Sequence, residues 1–144
     1  MRQNKLILEL AINEHDYLAI YMSKKNRFSV DDVYIYVVTK RKRFLVLEDS
    51  FEYSAYIEIT NSIDLIANSK DGDIQHVVGA PCSRGGLQLW FLKNNAQNVQ
   101  LNVVKSKYET DQYKEKYSAI ISFDMLEDWK IKLRDLYDRR ESIF

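Results

Sequence analysis

Val33-Tyr34-Ile35-Tyr36-Val37-Val38-Thr39-Lys40-Arg41-Lys42-Arg43-Phe44-Leu45-Val46-Leu47 is the stretch on which the fold turns. A run of β-branched and aromatic residues meets a short polar, basic segment, and a second apolar run follows. This is the pattern of a β-hairpin with a five-residue connection, Thr39 to Arg43. Side chains alternate across a strand, so Val33, Ile35 and Val37 share one side and Tyr34 and Tyr36 the other. If the aliphatic side faces the core, the tyrosines face outwards. If both sheet faces are covered, they are core residues.

Towards the N-terminus the same period recurs. Leu6, Leu8, Leu10 and Ile12 fall on one side of a first strand, and Leu18, Ile20 and Met22 on one side of a second. Asn13-Glu14-His15-Asp16 is the turn between them. A helix over residues 5–22 is the competing reading, and the alternation favours strands.

Towards the C-terminus, Ser54 to Thr60 reads as a further strand, with Ile57 and Ile59 opposed to Tyr56 and Glu58. Asn61-Ser62 suits a cap on a short helix, Ile63 to Ala67, which Lys70-Asp71-Gly72-Asp73 ends. Leu87 to Lys93 and Val99 to Lys105 form a second hairpin around Asn94 to Asn98, and Ser118 to Phe123 is the last strand. The terminal helix is the most distinct local pattern. Asp124 is its expected N-cap, with Glu127 placed to complete a capping box. Leu126, Trp129, Leu133, Leu136 and Tyr137 fall on one face, acids crowd the start, and Arg139-Arg140 sit at the end.

The expected fold is therefore α+β and mostly antiparallel β, a sandwich or curved sheet of about 7–8 strands with a C-terminal amphipathic helix packed on it. Residues 1–144 read as a single domain with no internal repeat.

Charge and composition narrow the function. The 21 basic and 21 acidic side chains cancel, whereas a dedicated duplex binder carries a basic excess for phosphate contacts. The single Cys82 cannot form a disulfide within the chain, which suits a reducing compartment. A charge interrupts the N-terminal apolar residues too early for a signal peptide. No apolar run approaches the ~20 residues of a membrane span. A cytoplasmic protein with no membrane association is expected.

All 4 glycines, the only Pro and the only Cys fall between Gly72 and Gly86, which implies one irregular, specifically shaped connection. It is not a phosphate loop, because Leu87 and Gln88 follow the last glycine where Lys and Ser or Thr are needed. Nor does it have the glycine spacing of a dinucleotide site. Cys82 with His76 would make a thiolate–imidazole pair, and Arg84 beside Gly85 could hold an anion, but a shaped connection explains the segment without chemistry. Asp71-Gly72-Asp73 resembles a fragment of a calcium loop but lacks the spaced ligands and distal Glu. No catalytic set, metal site or cofactor is expected, so the chain is not read as an enzyme.

The charges are segregated. Lys40, Arg41, Lys42 and Arg43 occupy a hairpin tip, where they serve solubility or contact phosphate or an acidic partner. Residues 48–73 are acidic. The functional expectation is a bacterial immunity or inhibitor protein that neutralises a toxin by occluding its active site. Its partner-binding residues would be Tyr34, Tyr36, Glu48, Asp49, Glu52, Tyr53, Tyr56, Asp71 and Asp73. The alternative is a nucleic-acid-binding β domain in which Lys40 to Arg43 contact phosphates while exposed Tyr side chains or Trp90 stack on bases, with Arg84 as a further anion contact. A small-ligand or enzymatic loop at Gly72 to Gly86 is the remaining class. Either a monomer or a homodimer would serve.

Overall fold

A computed structural model describes residues 3–24, 32–50, 55–78, 87–106, 113–139 and 142; the side chains of residues 3, 4, 24, 32, 48–50, 55, 56, 78, 87, 106 and 113 lie outside that description. Strands β1 (Gln3–Ala11), β2 (Tyr17–Lys24), β3 (Asp32–Val38) and β4 (Arg43–Ser50) pair in chain order into an antiparallel sheet, followed by helix α1 (Ala55–Ala67). Strands β5 (Ile74–Val78), β6 (Leu87–Lys93), β7 (Asn98–Ser106) and β8 (Tyr113–Ser122) form a second antiparallel sheet, again in chain order, followed by α2 (Phe123–Asp138). The expected α+β class holds, with α2 packed on the sheet. No sequence repeat is visible, yet the topology runs twice through the same order: four strands, then one helix.

Side chains close the hairpins in place of glycine. Asn13 Oδ1 accepts from the amides of His15 and Asp16, each at 2.9 Å. Thr39 Oγ1 accepts from Arg41 N and Lys42 N at 3.4 and 3.2 Å, and Asn95 Oδ1 accepts from Gln97 N and Asn98 N, each at 2.8 Å. These side chains imitate a backbone turn, which is why three tight connections need no glycine. Gly72 is different: its φ of +91° lies in the left-handed region, and its amide donates to Lys93 O at 2.7 Å.

The alternation expected for the central strands is observed. Leu18, Ile20, Met22, Val33, Ile35 and Val37 are fully buried on the inner face of the first sheet. Leu89, Phe91, Val99, Leu101 and Val103 do the same for the second, and all join one hydrophobic cluster with Ile59, Ile63 and Ile66 of α1 and Leu126, Trp129, Leu133 and Leu136 of α2. The helices tie the halves together. α1 lies against α2, β5 and β6, while α2 lies against β1 and β8. Trp129 is fully buried, and its indole N–H donates to Ala11 O at 2.7 Å, across 118 residues of sequence.

The structure corrects several expectations. Residues 55–60 are helix, not strand: Ile59, Ile63 and Ile66 recur at helical spacing and are buried together. Their β-branched side chains favour strands locally, and packing against α2, β5 and β6 overrides that preference. Ser62, the expected cap, consequently lies inside α1 and is buried. The Gly72 to Gly86 segment is not one irregular loop, because Ile74–Val78 pairs with β6 as an edge strand; residues 79–86 lie outside the described residues. The N-cap of α2 is Ser122, not Asp124. Its hydroxyl accepts from Met125 N at 3.1 Å with extended backbone (φ −77°, ψ 154°), so β8 runs directly into the helix. Glu127 pairs with Lys130 instead of completing a capping box. Finally, the pairing of β1 with β2 shifts between Leu6 and Leu8, so Leu6 leaves the inner face and stands opposite Tyr21.

Candidate functional site

The outer face of the first sheet brings half-buried aromatic side chains together with an exposed basic one. Tyr34 and Tyr36 are half-buried on the side opposite Val33, Ile35 and Val37. The register sets their neighbours: Leu6, Tyr21, Tyr34 and Glu48 are paired in one row across the four strands, and Ala19, Tyr36 and Leu45 in the next. The bulge that turns Leu6 outwards leaves it 43% exposed beside Tyr21.

The rings interact with each other and with one cation. Tyr21 and Tyr36 meet edge to face, with centroids 5.6 Å apart and planes at 88°. The Arg43 guanidinium lies 4.6 Å from the Tyr36 centroid and 5.6 Å from that of Tyr21. Its Nη1 also donates to the Tyr21 hydroxyl at 3.5 Å. Stacking on aromatic faces restrains the arginine without neutralising it. The result is a pre-positioned aromatic–guanidinium patch on a sheet whose other face is fully packed. Tyr21 was missed in reading the sequence. The signal was present, since Tyr21 alternates with Ile20 and Met22 just as Tyr34 and Tyr36 alternate with their aliphatic neighbours.

The other expected contact residues do not gather on one sheet. The backbone of Glu48 pairs with Tyr34 and that of Asp49 with Val33. Tyr56 lies in α1, not on a strand neighbouring Tyr34 and Tyr36. Glu52, Tyr53, Cys82 and Arg84 lie outside the described residues. Asp71 and Asp73 sit in the turn between α1 and β5, where the Asp73 carboxylate accepts from Lys70 N at 3.1 Å. Beside that turn, Lys93 Nζ donates to Ala67 O at 3.2 Å and Ser69 O at 2.6 Å, placing a cation at the C-terminal end of α1. The acidic stretch is thus divided among β4, α1 and a turn. One of its members is internally paired: Asp64 binds Lys130 and Arg134 of α2. The hydrogen bond from Lys130 to Asp64 raises the lysine pKa, with burial opposing.

Lys40, Arg41, Lys42 and Arg43 are all exposed at the tip joining β3 to β4, as expected. Lys42 Nζ lies 5.2 Å from the Phe44 centroid. His76 stacks on Trp90 on the outer face of the second sheet, with centroids 4.5 Å apart and planes at 17°. The Trp90 indole N–H donates to Gln88 Oε1 at 2.7 Å. Among the described residues no group of three His, Cys, Asp or Glu side chains stands close enough to hold a metal ion. No described helix is long and apolar enough to cross a membrane. No protein-family model matches the chain, and no curated protein sequence matches it.

Proposed function

We propose that the chain is a non-catalytic protein-binding module of the immunity or inhibitor kind: a cytoplasmic bacterial protein that neutralises a toxin by covering its active site. One observation carries this reading, the Tyr21, Tyr34, Tyr36 and Arg43 patch on the outward side of a sheet that is fully packed behind. Tyr and Arg are the side chains that most often dominate binding energy when a partner desolvates them. A stacked arginine has already lost part of its freedom, so less is lost again on binding. Leu6 adds apolar area at one end of the Tyr21 row, and the Glu48 backbone closes the other. Electrostatic complementarity would come from the basic tip beyond Arg43 and would speed encounter with an acidic partner surface.

The test is co-expression with the product of the adjacent reading frame, followed by calorimetry on the purified pair. Tyr36→Ala and Arg43→Ala should each weaken binding by about thirtyfold while the far-ultraviolet circular dichroism stays unchanged. Wild-type affinity in both variants would remove this face as the contact. Binding of single-stranded oligonucleotides that falls steeply with salt would favour the nucleic-acid reading instead.

A further inference from the structure

We propose that the end of the first sheet holds a binding site for a small polyphosphate anion, built from two turns that lie far apart in sequence. The turn joining β1 to β2 contributes His15 and Asp16, and the turn joining β3 to β4 contributes Thr39, Lys40, Arg41 and Lys42. Together they line an open surface cleft of about 550 Å³. That volume lies within the range of small-molecule sites, roughly 300–1,000 Å³. None of Tyr21, Tyr34, Tyr36 and Arg43 lines it, so it is distinct from the outer-face patch, although it shares the basic tip that would steer a partner.

Charge selects the ligand. Lys130, Lys132, Arg134 and Arg139 each have a carboxylate partner in or across α2. Lys40, Arg41 and Lys42 have no acidic partner among the described residues, although three cations crowd into consecutive positions. The one acid in the lining, Asp16, is engaged: Tyr117 Oη donates to its Oδ2 at 2.7 Å and Asn13 Nδ2 donates to the same oxygen at 3.3 Å. With three cations against one carboxylate, the lining carries a net positive charge. A single carboxylate would leave that excess unmatched, whereas a di- or triphosphate brings several charges within the same volume. Arg41 offers a planar fork for two phosphate oxygens, the lysines act as point charges, and the imidazole of His15 approaches from the opposite turn.

The walls are held before any ligand arrives. Asn13 bonds the amides of His15 and Asp16, and Thr39 bonds the amides of Arg41 and Lys42. The bond from Tyr117 anchors the first turn to β8 in the second sheet. The backbone of both turns is thus set before binding, and what remains is to order the exposed Lys40, Arg41 and Lys42 side chains.

Calorimetry and amide chemical-shift mapping with inorganic triphosphate test the site on the full chain. Saturable binding is expected, with shifts at His15 and at Lys40 to Lys42 and none at the Asn95 to Asn98 turn. Arg41→Ala and His15→Ala should each weaken it about tenfold, and Tyr36→Ala and Lys132→Ala should leave it unchanged. His15→Ala binding as tightly as the native chain would overturn the two-turn site and leave only a basic tip. Absence of triphosphate binding, or binding of a single-stranded oligonucleotide alone, would overturn it as well. Because Tyr36→Ala tests the outer-face patch and His15→Ala tests this cleft, failure of one reading is distinguishable from failure of the other.

Discussion

The two halves of the molecule share an order of elements and differ almost entirely in what they show to solvent. The first sheet displays Tyr21, Tyr34 and Tyr36 with Arg43 stacked among them. The second displays a His76–Trp90 stack beside an amide and hydroxyl network in which Gln100 Nε2 donates to Asn102 Oδ1 and Ser118 Oγ at 3.1 and 3.0 Å. Its flanking apolar residues, Ile74 and Ile120, are 44% and 55% exposed. The hairpin tips diverge in the same way: Lys40 to Arg43 is basic, while Asn94 to Asn98 carries no charge. The inner faces, by contrast, are alike in kind, both being largely buried apolar surfaces, aliphatic in the first sheet and joined by Phe91 in the second. The difference teaches that a four-strand, one-helix unit is specified by its inward positions, which leaves alternate positions free to carry recognition chemistry.

The largest expected effect concerns whether the halves are one cooperative unit. Trp129→Ala removes a fully buried ring and its bond to Ala11 O, and should cost about 3–5 kcal/mol in urea denaturation, with fluorescence and circular dichroism changing together. Two separated transitions would show that the halves fold independently and that the shared cluster contributes little.

The next effect separates the two outer faces. Tyr36→Ala should lose about 2 kcal/mol of partner affinity, and Trp90→Ala should stay within about 0.5 kcal/mol of the native affinity. Equal losses would mean that both sheets meet the partner. Loss only in Trp90→Ala would move the contact to the second sheet.

A smaller effect tests the strand-to-helix junction. Ser122→Ala should lower stability by about 1 kcal/mol, as loss of an N-cap does, while Asp124→Ala should cost only a few tenths, measured by denaturant titration. The opposite ranking would restore Asp124 as the cap.

The smallest effect reads the hydrogen bond that joins the halves through Tyr117. Burial, and then the hydrogen bond to the Asp16 carboxylate, push the Tyr117 phenol well above its ordinary value of 10.0. The unfolded chain loses this proton near pH 10 while the folded chain keeps it. The stabilisation is therefore complete below pH 10 and is lost progressively as pH rises above it. Tyr117→Phe should flatten that part of the stability profile and remove the corresponding late component of the phenolate absorbance titration. An unchanged alkaline slope would show that the bond does not persist in solution.

Much of this architecture could be read without coordinates, because period-2 alternation is a local signal and needs no partner. The hairpins at Val33 to Leu47 and Leu87 to Lys105, the Asn13 to Asp16 turn and the amphipathic terminal helix all follow from residues close together in the chain. So does the grouping of Tyr34 with Tyr36 on one side of β3, although whether that side met solvent or a second layer did not. The same locality explains the errors. Ala55 to Thr60 has strand-forming side chains, and only the surface that receives Ile59, Ile63 and Ile66 makes it a helix. Ile74 to Val78 lies among residues that signal a loop, yet the free edge of β6 recruits it as a strand. Leu6 obeys the alternation of its neighbours until a bulge, which depends on the register with β2, reverses it.

The candidate sites divide along that line. Residue identity and spacing grouped Tyr34 with Tyr36 on one side of β3, since a strand's pleat alternates its side chains; the packing behind Val33, Ile35 and Val37 decided that this side faces outwards. Three-dimensional pairing settled which side chains meet. Tyr21 joins Tyr36 only through the register of β2 with β3, and Arg43 reaches both across two strands. His15 stands beside Lys40 to Lys42 because two hairpins of one meander bring their turns to the same end. Alternation is a property of neighbouring residues, whereas register, bulges and the anchoring of one sheet on another are set by contacts between segments that the chain order alone does not bring together.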